Sequence, residues 1–296
     1  MLNDSIRKDP NNLDLYHQRA LFYMTKSDLA SAQLDINRVL ALDSGNVKYL
    51  TTGADIHFFL NKVQRADQLL KRAVELEPDN IDCLLKLDQL HFYLKRYDEE
   101  VVLLNKVLDK DKRNAQAYFM RGMVAKEKGD TAQAITEMQL ATQMDPDYYN
   151  AYIQMGIIAA SQHNPMAIDY YRNALEVQPT SIEALYNLGM YYQEHGESRL
   201  AINTYLSILQ LNPMHGDAHF NLGYVYTFQI DSPSIALNYF DLAIRDNPNS
   251  ARSYWGRGRC FEDMGDVNKA SADYIKALEI DPQFNGAAEG LERVKK

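Results

Sequence analysis

Residues 182–213 read IEALYNLGMYYQEHGESRLAINTYLSILQLNP. Leu185, Leu188 and Tyr192 fall at helical spacing ahead of the polar break HGES, and Ala201, Tyr205 and Ile208 do so behind it. Pro213 ends the second run, because proline has no N–H and clashes with the turn before it. The stretch therefore predicts two antiparallel helices joined by a short turn. Gly189 on the first and Ala201 on the second are small enough to let them approach closely.

The same three markers recur along the chain. A small-residue column runs Ala20, Ala54, Asp88, Gly122, Gly156, Gly189, Gly223, Gly258, with steps of 33 to 35 residues. A second runs Ala32, Ala66, Glu100, Ala134, Ala167, Ala201, Ala236, Ala270, and a third Ser44, Pro78, Lys112, Pro146, Pro179, Pro213, Pro248, Pro282. A lone hairpin cannot bury its apolar faces, so each must stack on the next and the core becomes continuous. Two departures from the period are placed in turns, a deletion within SQHNPM (161–166) and an insertion within QIDSPS (229–234), because turns accept length changes that helices do not. The third unit departs at all three markers, with Asp88, Glu100 and Lys112, which puts its local packing in question.

These residues resemble the tetratricopeptide repeat (TPR) family, whose pattern stands here as Leu185, Leu188-Gly189, Tyr192, Ala201, Tyr205, Ile208 and Pro213, and again as Tyr254, Gly258, Phe261, Ala270, Tyr274, Ala277 and Pro282. The resemblance implies an all-α, right-handed superhelical solenoid of helix hairpins. Eight units are expected at 13–46, 47–80, 81–114, 115–148, 149–181, 182–215, 216–250 and 251–284. Residues 1–12 read as the second-helix remnant of a preceding half repeat, implying a clipped start, and 285–296 as a capping helix that lays Leu291 and Val294 on the last repeat.

In that family the first helix of each unit lines a concave groove, and its fifth position points inward. Carried over, the column is His17, Thr51, Leu85, Phe119, Ile153, Tyr186, Phe220 and Trp255. Position nine adds Leu21, Met123, Ile157, Met190 and Tyr224, and Phe58, Phe59, Phe92, Tyr93 and Phe228 follow a turn later. The implied partner-binding site comprises Leu85, Phe119, Met123, Ile153, Tyr186, Asn187, Met190, Phe220, Asn221, Tyr224 and Trp255. Asn187 and Asn221, one period apart, are suited to bonding a peptide backbone or to packing between helices. The family's carboxylate clamp is absent, since no Lys stands at the fifth position and no Asn at the ninth.

Composition narrows the function. A net charge of −9 leaves no surplus for a phosphate backbone, which argues against nucleic acid and against an RNA-reading helical repeat. No run is long and apolar enough to span a bilayer, and MLNDSIRKDPNN lacks the regions of a signal peptide. Cys83 and Cys260 show no pairing or ligand spacing, and no phosphate loop, dinucleotide fingerprint, nucleophile elbow or zinc motif is present. No cofactor and no metal are expected. His57 and His91, at equivalent positions in adjacent units, and His215 and His219 read as structural. Glu99-Glu100 and Glu262-Asp263 read as solvated helix surface. Asp14, Asp82, Glu127, Glu183, Asp217, Glu262 and Asp263 face or flank the groove, which suggests a partner with apolar anchors and some basic residues.

The expectation is a monomeric, non-catalytic scaffold or adaptor for a protein or peptide segment. The alternative is an exported bacterial lipoprotein-type TPR protein that assists envelope complex assembly. A docking module of an enzyme is a weaker reading. The compartment is expected to be cytoplasmic, or periplasmic and lipid-anchored with the export segment removed.

Overall fold

The computed structural model describes residues 2–295, which form eighteen α-helices and no strand among the described residues. The chain divides into two units, Met1–Pro146 and Asp147–Lys296. The first holds α1 (Leu2–Lys8), α2 (Leu13–Thr25), α3 (Leu29–Leu42), α4 (Val47–Phe59), α5 (Val63–Leu76), α6 (Ile81–Tyr93), α7 (Tyr97–Lys110), α8 (Ala115–Glu127) and α9 (Thr131–Met144). The second holds α10 (Tyr149–Ser161), α11 (Met166–Val177), α12 (Ile182–Glu194), α13 (Ser198–Leu211), α14 (Gly216–Phe228), α15 (Pro233–Asp246), α16 (Ala251–Asp263), α17 (Val267–Ile280) and α18 (Asn285–Val294). Each is an all-α helical repeat in which consecutive helices from α2 to α9, and from α10 to α17, pair as hairpins.

Local chemistry sets the ends of the helices. Asn46, Asn80, Asn114 and Ser181 accept the N–H of Lys48, Cys83, Ala117 and Ala184 and so cap the first helices of their hairpins. Each hairpin turn contains a residue with positive φ, which stops the first helix. Glycine supplies it at 129, 196 and 265, whereas Lys95 holds φ 57°. The extra residue near 230 lies in the turn between α14 and α15, as the sequence suggests. The deletion does not shorten its turn. Pro165 becomes the N-cap of α11, which has 12 residues where the other second helices have 14, so the helix gives up two residues while the turn before it gains one.

The closest packing lies between the small-residue column of the first helix and the residue about sixteen positions behind it. A Cβ on Gly156 would stand 2.4 Å from the Tyr171 ring, one on Gly189 2.7 Å from Tyr205, and one on Gly223 2.8 Å from Phe240. Those rings are fully or almost fully buried. In the first unit the equivalent positions are Ala20 with Ile36 and Ala54 with Leu70, while Gly122 faces Met138, whose Cγ would lie 2.8 Å from an added Cβ.

A second set of contacts ties neighbouring hairpins. Arg19 forms two 2.7 Å bonds to Asp35 sixteen residues ahead and donates to Asn3 sixteen behind. Arg121 spans the same distances with one bond each to Glu137 and Asn105, and Arg257 bonds Asp273 twice and Asp241 once. Each guanidinium thus joins its own second helix to the preceding helix. At the other end α18 covers Tyr274 and Ala277 with Ala287, Leu291 and Val294.

The third hairpin keeps its helices but buries acids. Asp88 and Glu100 are completely buried, and none of their four carboxylate oxygens has a hydrogen-bond partner. They stand at the register where Gly122 meets the Ala134 carbonyl in the next hairpin, 3.0 Å from a Cβ built on Gly122. Glu100 is therefore not solvated surface: its neighbour Glu99 takes the outer face, and one residue further turns the side chain inward. Burial raises the Asp88 carboxyl to about 8, and burial together with Asp88 raises Glu100 to about 9, opposed by Lys128.

Two outcomes follow from this packing. Gly223→Ala should destabilise by about 1–3 kcal/mol in urea unfolding, with part of the loss recovered when Phe240 is also changed to Leu. For the acid pair, folded-state pKa values above the unfolded ones mean that stability is greatest below about pH 4 and falls as pH rises towards 8–9. The Asp88→Gly/Glu100→Ala double variant should be more stable at pH 8 by about 2 kcal/mol or more and should lose most of that pH dependence in thermal melts.

Candidate functional site

The residues implied as a groove do not share one environment. Leu85, Ile153, Phe220 and Asn221 are buried, which corrects the reading of an unbroken open column. Phe220 packs 5.8 Å from Phe240, with the Arg252 guanidinium 4.4 Å above its ring. Asn221 donates to the Met190 sulfur at 3.4 Å, and its place beside buried Tyr205 makes it a packing residue. Phe119 and Met123 on α8, and Tyr186, Asn187, Met190, Tyr224 and Trp255 in the second unit, stay half-buried.

In the second unit these half-buried residues belong to a line of rings. Phe220, Tyr224 and Phe228 stand four apart on α14, so they share one face. Tyr224 lies 4.7 Å from Phe228, which stacks on Trp255 at 5.4 Å and 14° and is 39% exposed. Trp255 in turn meets Phe284 edge-on at 5.9 Å. Phe284 and Arg252 were not singled out from sequence. Phe284 is the N-cap of α18, in the column that carries Asn, Ser or His elsewhere except for Tyr148 at α10, and a ring at a capping position is the signal that marks it. Upstream, Tyr186 on α12 sits 6.3 Å from Tyr205 and 6.2 Å from His215.

The acidic edge is largely spent inside the fold. Asp217 pairs with Arg252, Glu183 accepts from the Tyr149 hydroxyl at 3.0 Å, and Asp263 pairs with Arg259 at 3.1 Å. Glu262 accepts from Arg293 at 2.7 Å and from the Tyr274 hydroxyl, and Arg293 holds its carboxyl below the usual range. In the first unit Asp14 accepts from Tyr49 at 2.9 Å and Glu127 from Tyr97 at 3.3 Å. Glu262 was read as solvated surface and is instead a fastening between α16 and α18.

The histidines are structural in different ways. His215 caps α14 by accepting the Ala218 N–H at 3.1 Å, and His219 bonds Asp246 at 2.7 Å. His91 bonds Asp67 at 3.2 Å, while both His57 ring nitrogens are buried without a partner. No group of three or more His, Cys, Asp or Glu side chains suited to a metal occurs among the described residues, and no described helix is long and apolar enough to cross a membrane. Cys83 and Cys260 are buried free thiols.

Stacked helix pairs, a small-residue contact in each and an aromatic first-helix face define a repeat protein of the kind that presents extended binding surfaces. Tetratricopeptide repeat models match residues 115–148, 170–203 and 251–284, so the chain carries repeats of that kind. It is 32% identical over 102 residues to photosystem I assembly protein Ycf3 of Acaryochloris marina (strain MBIC 11017), covering 33% of this chain and 61% of that protein. The chain spans about three-fifths of the length of the curated relatives it matches. The crystal structure of MamA superposes with a TM-score of 0.52 at 26% identity, over 57% of this chain and 92% of MamA. The C-terminal part of a TPR repeat-containing protein from Cytophaga hutchinsonii gives a TM-score of 0.69 at 20% identity, over 83% of this chain and 99% of that one, a likeness of fold alone.

The two asparagines separate in a stability measurement. Asn221→Ala should cost about 1–3 kcal/mol in urea unfolding, because it strips a buried amide from its neighbours, whereas Asn187→Ala should stay within about 0.5 kcal/mol of the parent.

Proposed function

We propose that this protein is a non-catalytic scaffold that holds a segment of a partner protein against the first-helix face of its second unit. The observation that carries the reading is the ring line Tyr224, Phe228, Trp255, Phe284, part of it open to solvent and stacked so that little side-chain entropy remains to be lost on binding. Tyr186, Asn187 and Met190 extend the same surface along α12. Phe119 and Met123 offer a similar but smaller face on α8 in the first unit. Leu85, Ile153, Phe220 and Asn221 support these faces from beneath.

The partner segment supplies apolar anchors. Because the nearby carboxylates already hold internal cations, its basic residues are best placed over the open ring faces as cation–π partners. The name of the relative Ycf3, an assembly protein, supports a role in building a multiprotein complex. A specific contact of this kind buries about 1,200–2,000 Å² and is dominated by a few aromatic anchors.

Trp255 is the single tryptophan of the chain, so its emission reports directly on the site. With a partner identified by affinity purification, addition of that partner should shift the emission, and Tyr224→Ala/Phe228→Ala should weaken capture at least about tenfold while helicity by circular dichroism is retained. Capture unchanged by that pair of substitutions, but abolished by charge reversal on the second helices, would place the partner on the opposite face.

A further inference from the structure

The first unit carries a separate patch with the opposite charge preference. Helices α4 and α6 end in equivalent runs, Phe58-Phe59-Leu60-Asn61-Lys62 and Phe92-Tyr93-Leu94-Lys95-Arg96. Phe59 is 62% exposed and Tyr93 58%. They do not stand alone, since Phe58 packs edge-on against Tyr93 at 5.2 Å and against Phe59 at 6.1 Å, bridging the two hairpins. The exposed rings thus form one contiguous apolar surface, the kind that marks an interaction site when polar groups rim it.

Beside Phe58 a cleft of about 90 Å³ opens over Ala54, Ala66, Leu70 and Leu90, with the Asp55–Lys86 ion pair on its rim at 2.7 Å. That is room for a single aliphatic side chain. The charge around the rings is positive. Lys62, Arg65 and Lys95 are exposed and have no carboxylate partner among the described residues; Lys62 and Arg65 donate to the amides of Gln33 and Gln68. The field reaches inward, since burial, with Lys62 and Arg65 adding to it, pushes the His57 imidazole pKa down. The turns of the second unit carry Glu194, Glu197, Asp231 and Asp266 instead.

We infer that the turns closing α4 and α6 form a second interaction surface, which takes an acidic protein segment with one aliphatic anchor seated in the cleft. The rings cover the anchor's neighbours, and Lys62, Arg65 and Lys95 meet the flanking carboxylates. Asp55 is already held by Lys86, so it leaves the cleft mouth free of net negative charge. This surface is independent of the ring line in the second unit, and neither reading depends on the other.

The probe is a short fluorescein-labelled peptide of Asp and Glu with one central Leu, titrated into the full chain and followed by fluorescence anisotropy. Binding should saturate, weaken with added salt, and fall at least about tenfold with Lys62→Glu/Lys95→Glu, with Phe59→Ala/Tyr93→Ala, or with Ser in place of the peptide's Leu. Circular dichroism confirms that these exposed substitutions leave the helices intact. Equal binding by the charge-reversed chain, or equal binding of a Lys-rich peptide with the same Leu, would overturn the inference. So would preferential capture by phosphatidylserine vesicles, which would make the occupant a lipid surface, or self-association that disappears in the same variants, which would make it a second copy.

Discussion

The contact on which the rest of the structure depends is the one between the small residue that the first helices carry, α6 with its Asp88 excepted, and the side chain facing it from the second. A ring such as Tyr171 or Phe240 can lie flat against a helix only if the residue beneath it has no Cβ. That one requirement fixes how close the helices come, and hence which residues of the first helix turn outward on the next face. The exposed rings of α14 and α16 are where they are because Gly223 and Gly258 let α15 and α17 settle against them. Phe240 is pressed from both sides, since a Cβ on Gly256 would stand 2.4 Å from it, so the same ring sets the spacing of two successive first helices. Exposed surface and core are parts of one packing solution.

Much of this was legible in the sequence, because close approach leaves a periodic trace. Gly189, Ala201 and Pro213 announce a hairpin wherever they recur, and the insertion near Asp231 lands in a turn as expected. The deletion was read less well. Proline at 165 disfavours helical backbone at the residue before it, so α11 begins late and the turn before it holds one residue more than most. The capping helix was recognised from Leu291 and Val294, but not the ring that seats it. Phe284 stands at a capping position, and a ring there obeys no helical periodicity.

The site was harder to read than the fold. A column of apolar residues at the fifth position says that they face one way, not whether the neighbouring first helix covers them. Phe220 is covered because Arg252 of the next repeat lies over it, and Trp255 remains partly open because Phe284 reaches only its edge. Charges mislead for a similar reason. Glu262 and Glu100 each sit in an acidic pair that looks like surface, yet one fastens two helices and the other is sealed inside α6 and α7. Partners about thirty residues away, or their absence, decide such cases, and adjacent residues do not record them.

The arginines that reach sixteen residues forward and sixteen back give the array a further property. Arg257 needs Asp273 in its own hairpin and Asp241 in the one before, and Arg121 needs Glu137 and Asn105. A repeat transplanted to another position would keep one partner and lose the other, and a half-buried charge left unpaired is costly. The hairpins, though built to one plan, are therefore not interchangeable bricks: each such arginine reads the identity of its predecessor, and the order of the repeats is written into the side chains as an address.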